Sequence, residues 1–237
     1  MQTIKKQIPN LITLLNLFSG CIALVYAAES NFEYAFYFVC LGIFLDFFDG
    51  FFARLFNVAS PLGLQLDSLA DMVTSGVAPG YVMFMMLKNS QHEISTHPMF
   101  AYLGFLITLG SCYRLANFNI DTRQTESFIG LPTPANTLFI LSLPLVILYG
   151  DSLLILELLT NQYFLMAIIV GSVYILNAEV PLFSLKLKKF TIKDNLLQII
   201  FLLFSFVFVL LFHFGGVPLT ILFYILLSVV NNKWIKK

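Results

Sequence analysis

The chain is 237 residues long, 59% hydrophobic, 16% aromatic and only 11% charged, with a mean hydropathy of +0.87. That profile lies far outside the range of a water-soluble domain and calls for lipid as solvent. Basic and acidic side chains, 13 of each, cancel, so total charge gives no reason to expect nucleic acid or a strongly charged partner.

In chain order the sequence divides into eight apolar runs separated by short polar patches, near 9–28, 34–55, 63–87, 99–118, 133–150, 160–178, 195–213 and 215–232. Each approaches the roughly 20 residues that cross a ~30 Å hydrocarbon core. The expectation is an all-α integral membrane protein, a single polytopic domain over residues 1–237 with about eight transmembrane helices in one bundle. The first run follows a basic stretch and ends in Val25-Tyr26-Ala27-Ala28, which mimics a cleavable leader, while Phe18-Ser19-Gly20-Cys21 mimics a lipoprotein site; its length favours an uncleaved helix. Pro9-Asn10 opens that helix, Pro61 precedes the third run, and Pro132 and Pro134 interrupt the chain between the fourth and fifth. Cys21, Cys40 and Cys112 lie inside apolar runs and read as small hydrophobes.

Charge is distributed unevenly along these runs. Lys5, Lys6, Arg54, Arg114, Arg123, Lys186, Lys188, Lys189, Lys193, Lys233, Lys236 and Lys237 fall at the termini or in alternate loops, and Lys88 alone falls opposite. By the positive-inside rule both termini, and the loops near 57–62, 119–130 and 185–194, are expected in the cytoplasm. The basic loop 185–194 reads more readily as a topology determinant against anionic head groups than as a substrate site.

The second and third runs carry Asp46, Asp49, Asp67 and Asp71. An aspartate at the centre of a span costs about 2.5–3.5 kcal/mol on insertion scales, so four of them need an offsetting partner, and a cation is the obvious one. Asp46 and Asp49 are i,i+3 and Asp67 and Asp71 are i,i+4, which sets each pair on one helix face. A turn over 56–62 predicts adjacent antiparallel helices whose acidic faces meet. Carboxylate oxygens suit hard cations such as Mg²⁺ or Mn²⁺, and His92, His97 and His213 map to the other side. Gly50, Ala53 and Gly63 either permit close helix packing or let a diphosphate approach the backbone, and Arg54 offers a partner for phosphate or carboxylate. Intramembrane aspartates also occur in cation channels and transporters, which is the alternative from another class.

The spacing Asp46-x2-Asp49-Gly50-x2-Ala53-Arg54-x8-Gly63-x3-Asp67-x3-Asp71 resembles the signature of the CDP-alcohol phosphotransferases at every specified position. The segments Ile8–Asn16, Asp67–Asp71 with Ser75–Pro79, Arg114–Asn119 and Phe128–Ala135 resemble the membrane-embedded phosphatidylserine synthase branch of bacteria and archaea. Together they cover roughly residues 8–136; Thr74 stands where serine is expected and Asn117 where arginine is common.

The resemblance implies CDP-diacylglycerol and L-serine as substrates, phosphatidylserine and CMP as products, and two divalent ions, Mg²⁺ or Mn²⁺. It implies a catalytic core over about 8–180 with additional C-terminal helices over about 195–232. Asp46, Asp49 and Asp67 are then metal ligands, and Asp71 the general base and a ligand of the second ion. Asp49, Gly50, Ala53, Arg54 and Gly63 would line the CDP diphosphate. The serine carboxylate needs a cation, for which Arg114 comes first and Arg123 second, with Asn117 as a polar helper. Hydroxyls such as Ser75 and Thr133, near helix ends, more often satisfy backbone groups. A direct displacement is favoured, because no Ser, Cys or His nucleophile with an evident base lies near the cluster. A homodimer in the inner cell membrane, with its active site on the cytoplasmic side, is implied as well. The nearest alternative is a sister enzyme with glycerol 3-phosphate or an inositol phosphate as acceptor.

Overall fold

The computed structural model describes residues 2–90, 98–121, 123, 127–184 and 195–235. The basic loop 185–194, together with His92 and His97, lies outside the described residues.

Helices α1 (Gln2–Ala28) and α2 (Phe32–Leu55) form a tight hairpin. Asn31 caps α2, its side chain accepting a hydrogen bond from the Tyr34 N–H at 3.3 Å. Small side chains favour this close approach: Ala23, Ala27 and Ala35 are all but fully buried. Ser60 caps α3 (Pro61–Asp71) by accepting from the Gly63 N–H at 3.1 Å, and Pro61 opens the helix where its missing N–H is harmless. This helix runs through a π-helical segment, Met72–Val77, into α4 (Ala78–Lys88). Threonines from neighbouring helices meet the carbonyls of that segment: Thr108 Oγ1 donates to Gly76 O at 2.9 Å and Thr137 Oγ1 to Ser75 O at 3.0 Å.

A 3₁₀ turn, Pro98–Phe105, leads into α5 (Leu106–Ile120). Strand β1 (Ser127–Ile129) pairs antiparallel with β2 (Pro181–Phe183), a short ribbon that hydrophobic periodicity does not announce. Between them lie α6 (Thr133–Tyr149), α7 (Leu153–Thr160) and α8 (Gln162–Asn177), the last two bent by 72°. Helices α9 (Leu196–Phe212) and α10 (Gly216–Ile235) join through the 3₁₀ turn His213–Gly215. They pack through aromatic contacts such as Phe204 with Phe223, ring centroids 5.2 Å apart.

The main core joins α1, α2, α4, α5, α6 and α8 through side chains such as Val39, Met83, Ile107, Ile140, Leu165 and Ile169, none of which reaches solvent or lipid. A smaller cluster of Leu131, Leu182, Phe201, Ile221 and Tyr224 fastens the ribbon to α9 and α10.

Each of the eight expected apolar runs contains a helix, so the all-α membrane architecture holds. Among the described residues five stretches are long and apolar enough to cross a bilayer, or six with the bent α7–α8 pair. The expected eight is reached only if the shorter α6 counts and the 37-residue stretch Leu196–Asn232, which turns at His213–Gly215, counts twice. One geometric expectation needs correcting. Helices α2 and α3 share little direct packing; α1 packs against both and sets their spacing.

Candidate active site at the acidic cluster

The carboxylates converge despite that separation. One oxygen each from Asp46, Asp49 and Asp67 lies within 4.8 Å of the others, Asp49 buried and its two neighbours half-buried. Oxygens that share one Mg²⁺ at about 2.1 Å lie no more than about 4.2 Å apart, so a small side-chain adjustment brings all three onto a common ion. The donor set is all oxygen and fits a hard cation. Asp71 stands outside this group of three. It lines a neighbouring cavity of about 230 Å³ together with Asp46, Asp67, Arg114 and Thr133.

Helix α1 holds two of the four carboxylates, Asp49 and Asp71. Thr13 Oγ1 donates to Asp49 Oδ2 at 2.5 Å. Asn16, fully buried, donates from Nδ2 to Asp71 Oδ1 at 3.2 Å. The Asn16 side-chain oxygen in turn accepts from Thr74 Oγ1 at 2.8 Å, which fixes the orientation of the amide. Room for this arrangement comes from two glycines: a Cβ on Gly20 would lie 2.7 Å from Thr74 Oγ1, and one on Gly42 would lie 2.6 Å from Thr74 Cγ2 and 2.8 Å from Asn16 Oδ1. Sequence reasoning missed Thr13, Asn16 and Thr74 as supports of the cluster. Their signal was there, since a polar residue in the first apolar run needs a buried partner as much as an aspartate in the second does.

The small residues of the motif separate into two kinds. At Gly63 an added Cβ would meet Asn10 Oδ1 and Ser60 Oγ, both at 3.3 Å, so this glycine lets α3 close against α1. At Gly50 the three atoms nearest to an added Cβ all belong to the Arg54 guanidinium, the closest at 3.4 Å, so this glycine lets the arginine lie close over the helix. Ala53 is half-buried, and Arg54 is exposed in the last turn of α2.

Arg114 is buried and lies between two cavities. Its Nη1 donates to Ile129 O at 2.7 Å and its Nη2 to Gly130 O at 3.2 Å, which ties α5 to the chain leaving β1. It also borders a second cavity of about 340 Å³, lined by Asn117, Asp121, Arg123, Asn177 and Glu179. The three residues expected to recognise serine thus share one cavity wall. Only Arg114 also reaches the acidic cavity. Arg123 is exposed and bound to Asp121 at 3.0 Å and Glu179 at 3.6 Å, so two carboxylates already face its guanidinium. Asn117 is exposed. Ser75 Oγ is buried with no hydrogen-bond partner among the described residues, and Thr133 lines the acidic cavity.

The ribbon that Arg114 grips is held from its far side by the C-terminal helices. Tyr224 Oη donates to Phe183 O at 2.8 Å, Asn232 Nδ2 to Pro181 O at 2.5 Å, and Gln198 Nε2 to Ser184 O at 3.2 Å.

Comparison with known proteins gives the family. A relative in Helicobacter pylori strain J99, named CDP-diacylglycerol–serine O-phosphatidyltransferase, is 34% identical over 202 residues, 84% of this chain and 81% of its own. Proteins of the same name in Bacillus subtilis and Methanocaldococcus jannaschii are 38% identical over 131 residues and 30% over 180. The first match covers 54% of this chain and 69% of the relative, the second 76% of each. The profile of the CDP-alcohol phosphatidyltransferases matches residues 6–175, a stretch that contains all four aspartates, the α1 residues bonded to Asp49 and Asp71, and the arginine between the two cavities. The chain is therefore a member of the CDP-alcohol phosphatidyltransferase family.

Proposed function

We propose that this protein transfers the phosphatidyl group of CDP-diacylglycerol to the hydroxyl of L-serine, forming phosphatidylserine and releasing CMP. The observation that carries the reading is the meeting of three carboxylate oxygens from α2 and α3 within 4.8 Å, beside a cavity bordered by Asp71 and Arg114. The names of the relatives support serine as the acceptor.

Asp46, Asp49 and Asp67 would hold divalent metal, Mg²⁺ or Mn²⁺, with Asp71 reaching a second ion. When bound, the metal neutralises diphosphate charge and makes the phosphorus more electrophilic, the electrostatic part of phosphoryl transfer. The chain's own groups do the rest. Gly50 lets the Arg54 guanidinium lie close over α2, where it pairs with a diphosphate oxygen. Arg114 keeps guanidinium N–H groups beyond the two donated to Ile129 and Gly130, and these face the serine carboxylate. Asn117 and Arg123 border the approach to that position. Asn16 engages Oδ1 of Asp71, and Oδ2 then takes the serine hydroxyl proton. The serine oxygen bonds to the phosphatidyl phosphorus as the bond from that phosphorus to the CMP oxygen breaks, and the electron pair leaves with CMP.

The positive-inside asymmetry favours cytoplasmic termini and an active site at the cytoplasmic face of the cell membrane, where CMP and free serine are found. A homodimer follows from the family resemblance. The decisive experiment incubates purified protein with CDP-diacylglycerol, metal and radiolabelled serine, glycerol 3-phosphate or inositol phosphate in parallel. Label enters lipid from serine alone, with matching CMP, and a chelator stops it until Mg²⁺ or Mn²⁺ returns. Incorporation from another acceptor in place of serine, or full turnover in chelator, refutes the assignment.

A further inference from the structure

One cavity takes no part in the proposed reaction. It is a crevice of about 350 Å³ between α8 and α10, both of which pack against α6, and its walls include Phe139, Ile168, Ile175 and Ile221. That volume lies at the lower end of the range typical of ligand pockets, about 300–1,000 Å³. The α6 and α8 walls fall within residues 6–175, the stretch the family profile matches, and the α10 wall, with Ile221 and Leu222, lies beyond it.

Two polar side chains interrupt the apolar lining, Asn136 and Ser172. Asn136 is 1% exposed, and among the described residues its Nδ2 has no hydrogen-bond partner. A buried amide donor left unpaired is costly and calls for an acceptor from outside the protein. On α8, an added Cβ at Gly171 would meet nothing within 4 Å, so the crevice is open where a side chain would otherwise fill it. Gly171 and Leu222 at its rim are exposed on apolar helices, which makes bilayer lipid the neighbour at its mouth.

Depth and side narrow the occupant. Thr133, in the first turn of α6, lines the acidic cavity where phosphate would lie, and Asn136 is three residues on, about 4.5 Å further along the helix. In a glycerolipid the ester carbonyls lie just below the phosphate, at that level. Thr133 and Thr137 face the acidic cavity and the π segment, whereas Asn136 and Phe139 face the crevice, so α6 stands between the two. We propose that the crevice binds one acyl chain of a resident membrane phospholipid, other than the substrate, whose ester carbonyl accepts a hydrogen bond from Asn136 Nδ2.

The test uses the full chain in lipid nanodiscs doped with a phosphatidylcholine that carries a diazirine on its acyl chain, in ester-linked and ether-linked forms. After irradiation, labelled peptides from α6, α8 and α10 are mapped. The ester form should label these helices roughly fivefold more than the ether form, the equivalent of one hydrogen bond. Asn136→Leu should lower ester labelling to the ether level, and Gly171→Leu, which has room for its side chain, should lower both by filling the crevice. Excess CDP-diacylglycerol should leave the labelling unchanged. Equal labelling by the two forms, or ester labelling untouched by either substitution, overturns the proposal in favour of ordinary boundary lipid and a water on Asn136. Displacement by CDP-diacylglycerol overturns it in favour of the substrate's own chain. Should Asn136→Leu fail to fold, the ester and ether comparison on the unaltered protein and the Gly171→Leu result decide the matter.

Discussion

Replacing Asn16 with alanine removes the one side chain that holds Asp71 from α1. Its Nδ2 reaches Asp71 Oδ1 at 3.2 Å, and the residue is fully buried, so no solvent takes its place. A hydrogen bond to a charged group is worth about 1.5–3 kcal/mol. At 3.2 Å the bond is at the long end of the usual range, which argues for the lower half of that span. With 1.36 kcal/mol to each factor of ten, kcat/KM for serine should fall about 10- to 40-fold. The assay is incorporation of radiolabelled serine into chloroform-soluble lipid at saturating CDP-diacylglycerol in mixed micelles. Thr74→Val keeps the shape of the side chain but removes the hydroxyl that pins the amide, so it should cost less, about three- to tenfold, while Thr74→Ser stays near the parent. An Asn16→Ala protein that purifies well and keeps kcat/KM within about twofold of the parent would refute the positioning argument.

Asp67→Asn and Asp71→Asn should each abolish serine incorporation while the protein still inserts and purifies; activity within a few-fold of the parent removes that residue from the catalytic set. Gly42→Ala should destabilise the hairpin by about 1–3 kcal/mol, the usual cost of overpacking, because its methyl would lie 2.6 Å from Thr74 and 2.8 Å from Asn16. Thermal unfolding in detergent reads this, and an unchanged midpoint would sink it. Arg114→Ala should raise the apparent KM for serine more than it lowers kcat, and Tyr224→Phe, which frees the ribbon that Arg114 grips, should do the same more weakly. An unaltered serine dependence in both variants counts against the acceptor role of Arg114.

Much of this site was legible in the sequence because charge inside a span is conspicuous. The two aspartate pairs, each on one helix face, predicted a meeting of carboxylates, and three of them do meet. Which helix brings them together was not legible. Adjacency in sequence suggested that α2 and α3 pack directly, but contacts from Thr13, Asn16 and Gly20 show α1 as the element between them. Side chains that bond across 36 to 58 residues leave no periodic trace. The β1–β2 ribbon went unseen for a related reason. Three-residue strands are too short to alternate recognisably, and their pairing joins residues on opposite sides of three helices. The paired state of Arg123 likewise depends on Glu179, brought near only by the fold.

The π-helical segment just past Asp71 has a geometric consequence. One wide turn takes up an additional residue, so everything after it is rotated by about 100° from where an unbroken α-helix would carry it. The stripe that holds Asp67 and Asp71 is thereby uncoupled from the stripe that begins at Ala78. The first half of this long helix turns its acids toward the cavity that Arg114 borders. Its second half buries Val82, Met83, Met86 and Leu87 in the bundle, and neither half compromises the other.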